Sequence, residues 1–227
     1  MKPSLTLSLI AVLTAGQLHA QLALIRQGDE TRGVYEDGDR MGSAVCAGDF
    51  NGDGYDDLAA GSPGERYALL PNAGFVTVNY GSSRGLSWTG TQGLGPAQGG
   101  LDEGLPHLMG AALASADFNA DGCDDLAVGL PASAVSGNAN AGRVLVFLGS
   151  GAGLQTPAAL VLTQSAFGGA NEAGDEFGAT LAAGKLGTDN FADLVIGGPG
   201  ENNDEGAVFI IRGAVGGLDV LDRKSVV

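Results

Sequence analysis

The chain has 227 residues and a formal charge of −15, enough length for one large domain or two small ones. Its 11 Lys and Arg residues against 26 Asp and Glu, with no basic stripe, argue against nucleic acid and anionic lipid as partners. Two cysteines, Cys46 and Cys123, are too few for a disulfide framework and read as small filler residues.

The first segment in chain order is a targeting signal. Met1 and Lys2 give a positive start, Leu5 to Leu13 is apolar apart from Thr6 and Ser8, and Leu18-His19-Ala20 ends on a small residue. Residues 1–20 therefore read as a secretory signal peptide cleaved before Gln21, which makes the product secreted, extracellular or held at a cell surface. The run is too short for an N-terminal anchor, and no later stretch approaches the ~20 apolar residues of a spanning helix. No membrane insertion is expected once the signal is gone.

Residues 21–221 are organised by repetition. Met41-Gly42, Met109-Gly110 and Phe177-Gly178 are spaced by 68 residues each time, and the same offset carries Asp49 onto Asp117 and Gly61-Ser62-Pro63 onto Gly129-Leu130-Pro131 and Gly197-Gly198-Pro199. Three units follow, at about 40–100, 108–168 and 176–218. Each opens with a small apolar strand such as Ser43 to Ala47, passes through an acidic loop, and continues as a second strand such as Leu58 to Gly61. A third strand rich in β-branched and aromatic residues spans 74–80, 142–147 and 206–211. A weaker fourth is expected near Ser87 to Gln92 and Leu160 to Gln164. No 3.6-residue apolar period persists long enough for a helix. Groups of four short strands at a fixed period predict an all-β chain of propeller blades rather than a β-sandwich.

Three blades do not close a ring, since propellers have about four to eight. Leu22 to Gln27 is expected to supply an outer strand before the first full blade, and the third unit to stop after Leu218, ahead of its fourth strand. Asp222 to Val227 fits no repeat and reads as an artefactual tail on a chain whose further blades are missing.

The acidic loop is the chemical signature. In Asp49-x-Asn51-x-Asp53-Gly54-Tyr55-x-Asp57 alternate oxygen-bearing side chains converge as the backbone curls, with Gly54 placed for a left-handed bend. Hard, charged oxygens suit Ca²⁺, which takes six to eight of them. The expected donors are the side chains of Asp49, Asn51, Asp53 and Asp57 with the Tyr55 carbonyl. In the second copy they are Asp117, Asn119, Asp121 and Asp125 with the Cys123 carbonyl. An EF-hand would need a bidentate Glu at loop position twelve and flanking helices, but that position holds Ala60 and Val128, each in an apolar strand. The remaining alternative is an ion-free Asx-turn loop.

The third copy, Lys185 to Asp193, is degenerate: Lys185 replaces the first aspartate and Gly187 the asparagine. Two Ca²⁺ sites are therefore expected, with Lys185 pairing with Asp189 or Asp193, and Lys185→Asp with Gly187→Asn restoring a third.

Phe177-Gly178 and its Met-Gly counterparts, followed by Gly-x-Pro beyond an acidic loop, resemble FG-GAP repeats over nearly all of residues 40–218. The resemblance implies a seven-bladed, integrin α-like propeller with calcium in a nine-position loop between the first two strands of a blade.

No catalytic constellation is visible: there is no Gly-x-Ser-x-Gly, His-Glu-x-x-His or phosphate loop, and His107 reads as a solvated loop residue. The functional expectation is a non-enzymatic, calcium-binding extracellular module for adhesion or binding of a protein or glycan. The loops at 65–72, 131–140 and 200–205, which vary between units, are its candidate recognition surface. The alternatives are the non-catalytic propeller part of a secreted, phospholipase-like hydrolase, and an inert structural repeat.

Overall fold

The computed structural model describes residues 37–226, except 67–70, 88–89 and 102–105. The expected signal peptide and the Leu22–Gln27 strand lie outside the described residues.

Three antiparallel sheets of four strands follow one another along the chain, each in sequential order. The first comprises β1 (Val45–Gly48), β2 (Asp57–Ser62), β3 (Phe75–Asn79) and β4 (Gln92–Leu94). The second comprises β5 (Ala112–Ala116), β6 (Asp125–Leu130), β7 (Arg143–Phe147) and β8 (Leu160–Leu162), and the third β9 (Thr180–Gly184), β10 (Asp193–Gly198), β11 (Ala207–Ala214) and β12 (Gly217–Val226). This is an all-β architecture of propeller blades. Helical structure among the described residues is limited to single turns at Pro96–Gly99, Gln164–Phe167 and Glu201–Asp204.

Period-two alternation in each strand sends side chains to both faces of a sheet, and in the middle sheet both faces are buried. Leu126, Val128, Leu145 and Phe147 pack towards the first sheet with Ala59, Val76 and Val78. Ala127, Val144 and Val146 pack towards the third with Leu194, Ile196 and Phe209. Phe177 and Phe209 meet edge-on there at 5.1 Å between ring centroids, and Phe167 lies 5.2 Å from Phe209. There are thus two apolar layers, one at each junction between sheets.

The Met-Gly and Phe-Gly strings build those junctions. Met109 and Phe177 are fully buried, and each joins the preceding sheet through a parallel bridge, Gly74 to Met109 and Gly142 to Phe177. The Met109 N–H donates to the Ala73 carbonyl at 3.2 Å and the Phe177 N–H to the Ala141 carbonyl at 3.1 Å. Gly74 and Gly142 have φ of +84° and +86°, and a Cβ on either would stand 2.2 Å from the incoming backbone. Only glycine meets both demands.

Two expectations about the fourth strands need correction. In the first unit the strand is β4, of which only Gln92 lies within the expected stretch; its Gln-Gly-Leu sequence lacks the apolar run that marks Leu160-Val161-Leu162 in β8. The third unit does not stop before its fourth strand: β12 pairs with β11 and extends through Val226, which faces Val208. A register shift between Ile211 and Arg212 accommodates the pairing.

Candidate metal-binding loops

The loop between β1 and β2 is wound on its own amides. The Asp53 N–H donates to Asp49 Oδ1 and to Asn51 Oδ1, each at 3.0 Å. The Gly54 N–H donates to Asp49 Oδ2 at 2.8 Å and the Tyr55 N–H to Asp53 Oδ1 at 3.0 Å. Gly54 adopts the expected left-handed conformation, φ +86°. The second loop repeats the pattern: Asp121 N–H to Asp117 Oδ1 and Asn119 Oδ1, Gly122 N–H to Asp117 Oδ2, and Cys123 N–H to Asp121 Oδ1, at 2.9 to 3.2 Å. Two segments 68 residues apart thus gather the side chains of positions one, three and five on one side of a curl. Among the described residues no group of three or more His, Cys, Asp or Glu side chains stands in ready metal-binding geometry.

The ninth-position aspartates also have a structural job. Asp57 is buried, and its two oxygens accept the Phe50 N–H at 2.8 Å and the Gly81 N–H at 2.7 Å. Asp125 does the same for Phe118 at 3.0 Å and Gly149 at 2.9 Å. Asp193 does so for Leu186 at 2.9 Å and Gly213 at 3.2 Å. Each carboxylate ties the start of its acidic loop to the end of the third strand. This explains why the third copy keeps Asp193 after losing its first and third donors.

Burial makes the Asp57 and Asp125 carboxylates reluctant to ionise. It pushes Asp125 up to about 7, with repulsion from Asp121 and Asp117 adding to the effect. Asp57 is raised for the same reasons, Asp49 and Asp53 being its neighbours. A bound cation would reverse that repulsion. The oxygen-only donor set suits a hard divalent ion, and each carboxylate oxygen that accepts one amide keeps a lone pair for a second partner. The residues of the first two loops therefore fit Ca²⁺.

The third loop differs in backbone as well as in donors. Gly52 and Ala120 have φ of +67° and +56°, and Gly54 and Gly122 +86° and +93°; their counterparts Thr188 and Asn190 are not left-handed. One Asx turn survives, Phe191 N–H to Asp189 Oδ1 at 3.2 Å. Lys185 is exposed, and the bonds found on Asp189 and Asp193 come from the backbone amides just named rather than from the expected ammonium partner.

Sequence reading passed over Asp124. Its Oδ2 accepts the Asp49 N–H at 3.0 Å, and its own N–H donates to the Asp49 carbonyl at 2.8 Å. The second sheet thereby grips the first donor of the preceding loop. The only sequence signal was the Asp-Asp doublet shared by Asp56-Asp57 and Asp124-Asp125, which is interrupted in the third copy by Ala192.

His107 also departs from expectation. It is 2% exposed, not solvated, with Nδ1 3.1 Å from the Ser133 hydroxyl. Ser133 is itself fully buried. The histidine is thus packed against the neighbouring loop. Both cysteines are free, as expected, and burial pushes the Cys46 thiol up to about 11.

The repeats, their strand order and the junction glycines can now be set beside known proteins. A family profile described as FG-GAP repeat matches residues 41–79 and 109–147. This is an FG-GAP repeat chain. It is 34% identical over 163 residues to phosphatidylinositol-glycan-specific phospholipase D of Bos taurus, covering 70% of this chain and 19% of that protein. It is 33% identical over 198 residues to integrin alpha pat-2 of Caenorhabditis briggsae, with 80% and 14% covered. Against integrin alpha-5 of Xenopus laevis the identity is 32% over 185 residues, with 79% and 16% covered. The chain thus spans less than a fifth of the length of these relatives. Both FG-GAP matches begin at a Met-Gly string and end in the third strand of a sheet. No helix among the described residues is long and apolar enough to cross a membrane.

Proposed function

We propose that this chain is part of a secreted, calcium-stabilised propeller that serves as an extracellular binding or adhesion module. The observation that carries the reading is the identical winding of the loops at 49–57 and 117–125, in which Asp and Asn oxygens are held in register by backbone amides. Asp49, Asn51, Asp53 and Asp57 would hold one ion and Asp117, Asn119, Asp121 and Asp125 a second, with the Tyr55 and Cys123 carbonyls. Each ion would supply positive charge where carboxylates crowd. The protein's part is to hold the curl, through the Gly54 and Gly122 bends and the Asp57 and Asp125 ties.

Similarity to two integrin α chains over about four-fifths of this chain supports adhesion. The variable loops at 65–72, 131–140 and 200–205 are the surface proposed to meet an extracellular protein or glycan. On this reading the chain itself is no enzyme. Calorimetric titration of the metal-free protein with Ca²⁺ tests the metal claim: two ions per chain are expected. A stoichiometry of zero would reduce the loops to turn formers.

The 34% identity to a phospholipase D favours a second reading, in which the same propeller accompanies a hydrolase domain. Glycolipid cleavage by the gene product in its full natural length, absent from the 227-residue chain, would favour that reading over adhesion.

A further inference from the structure

The junction between the second and third sheets carries charges that the first junction does not. The 68-residue offset sets Gln164, Asp175 and Glu201 in the places of Pro96, His107 and Ser133. Gln164 and Asp175 stand on the connection from β8 to β9, and Glu201 on the loop from β10 to β11. The backbones of the two places agree: the Gly200 N–H donates to the Asp175 carbonyl at 3.2 Å, as the Ala132 N–H does to His107 at 3.3 Å. The side chains differ. At the first junction His107 and Ser133, both buried, close the space as a neutral pair 3.1 Å apart. At the second it holds two carboxylates and an amide.

Gln164 is 1% exposed. Its Nε2 donates to Glu201 Oε2, while its Oε1 is buried with no hydrogen-bond partner. Both atoms stand on one carbon, so the orphan acceptor lies beside the Glu201 carboxylate. Turning the amide over would set its oxygen against that carboxylate, so neither orientation satisfies both ends. Asp175 is 2% exposed, yet its carboxylate accepts one amide, that of Glu172 at 2.6 Å. The similarly buried Asp57, Asp125 and Asp193 each accept two. The donors to Asp175 and Glu201 are thus a backbone amide and the Gln164 side chain, both neutral. Burial disfavours ionisation of both carboxylates, and Asp175 and Glu172 add their repulsion at Glu201.

A buried acceptor without a donor and a buried carboxylate without a counter-charge are both costly. One cation beside all three groups would remove both costs. Oxygen donors select a hard ion. Ca²⁺ takes six to eight oxygens, which the acidic loops approach and this junction does not. Mg²⁺ keeps several waters and is held by one or two carboxylates, which matches the set present. We propose that Gln164 Oε1, Asp175 and Glu201 bind one Mg²⁺ at the second junction. The ion would pin the 200–205 loop to the connection between the second and third sheets. The assignment rests on these side chains and is independent of the calcium reading of the acidic loops.

Calorimetry with Mg²⁺, added after two Ca²⁺ per chain, tests this: one Mg²⁺ per chain is expected. Asp175→Asn and Glu201→Gln should each weaken it by at least about tenfold, since even the outer partners of a metal count on that scale. Asp175→His with Glu201→Ser copies the first junction and should abolish binding. Circular dichroism checks that each variant keeps its β spectrum; if the double variant loses it, Gln164→Leu replaces it, with about tenfold weakening expected. A parent chain that binds no Mg²⁺ would overturn the proposal. So would Mg²⁺ binding that these variants leave unchanged, which would put the ion in the acidic loops instead.

Discussion

Asp49 and Asp124 are bonded twice through the junction between the first two sheets, carboxylate to amide at 3.0 Å and amide to carbonyl at 2.8 Å. Asp49 is at once the first donor of its loop and the point where the next sheet takes hold. Loop and junction are therefore one mechanical unit. The second junction keeps only the backbone part: Ala192 stands where Asp124 would, its N–H 3.4 Å from the Asp117 carbonyl.

Asp124→Ala should accordingly lower stability by about 1–2 kcal/mol, the range for losing a charge-assisted hydrogen bond at a partly exposed site. It should also weaken Ca²⁺ at the first loop while leaving the second unchanged. Urea denaturation and calorimetry on the same variant read both effects. Equal weakening at both loops would contradict the coupling.

Asp193→Ala separates structure from metal, because the third loop has lost its first and third donors. It strips the Leu186 and Gly213 amides of their acceptor. The expected loss is about 2–4 kcal/mol, at the usual cost of an unsatisfied buried amide, and it should be the same with Ca²⁺ or with chelator. Urea midpoints in the two buffers make the comparison.

Acid should stabilise the metal-free protein. Asp125 is held near 7 against an ordinary value of about 4 for an unfolded aspartate. Between those limits the folded chain binds more protons than the unfolded one, so stability falls as pH rises. Asp57 and Asp124 are raised in the same direction. In chelator the melting temperature is expected to be several degrees higher at pH 5 than at pH 7.5. Ca²⁺ should raise it more at pH 7.5, where the carboxylates are ionised. A higher melting point at pH 7.5 in chelator would refute the assignment.

Rebuilding the third loop needs more than its lost donors. Lys185→Asp with Gly187→Asn is now expected to leave the stoichiometry at two, because the backbone at Thr188 and Asn190 lacks the left-handed bends of Gly52 and Gly54. Adding Thr188→Gly and Asn190→Gly should bring it to three. A third ion in the double variant alone would show that the side chains dictate the curl.

What could be read from the residues was whatever repeats within a unit. The 68-residue offset located the Met-Gly strings, the acidic loops and the second and third strands, because backbone bends and apolar alternation leave local marks. Side-chain relations between units leave weaker ones. The Asp124 grip joins residues 75 apart, and the burial of His107 depends on Ser133, 26 residues on. The spacing marks Asp57 and Asp125 as donors, and only the fold adds the bonds of all three ninth aspartates to Gly81, Gly149 and Gly213. β12 escaped notice because the residues that complete the third sheet share no motif with β4 or β8.

The two buried layers give the molecule an interior held in joint ownership. Each belongs to a pair of neighbours, and no side chain of the first layer is shared with the second. Such an architecture can be lengthened by whole units at the cost of one new seam, with every existing seam left as it was. Damage should be similarly contained: a cavity cut at Val76 loosens one seam, while the seam around Phe177 keeps its full complement of atoms. Genes for such chains can grow by duplication of a single segment, since each copy brings both the strands that fill a layer and the string that locks it to its predecessor.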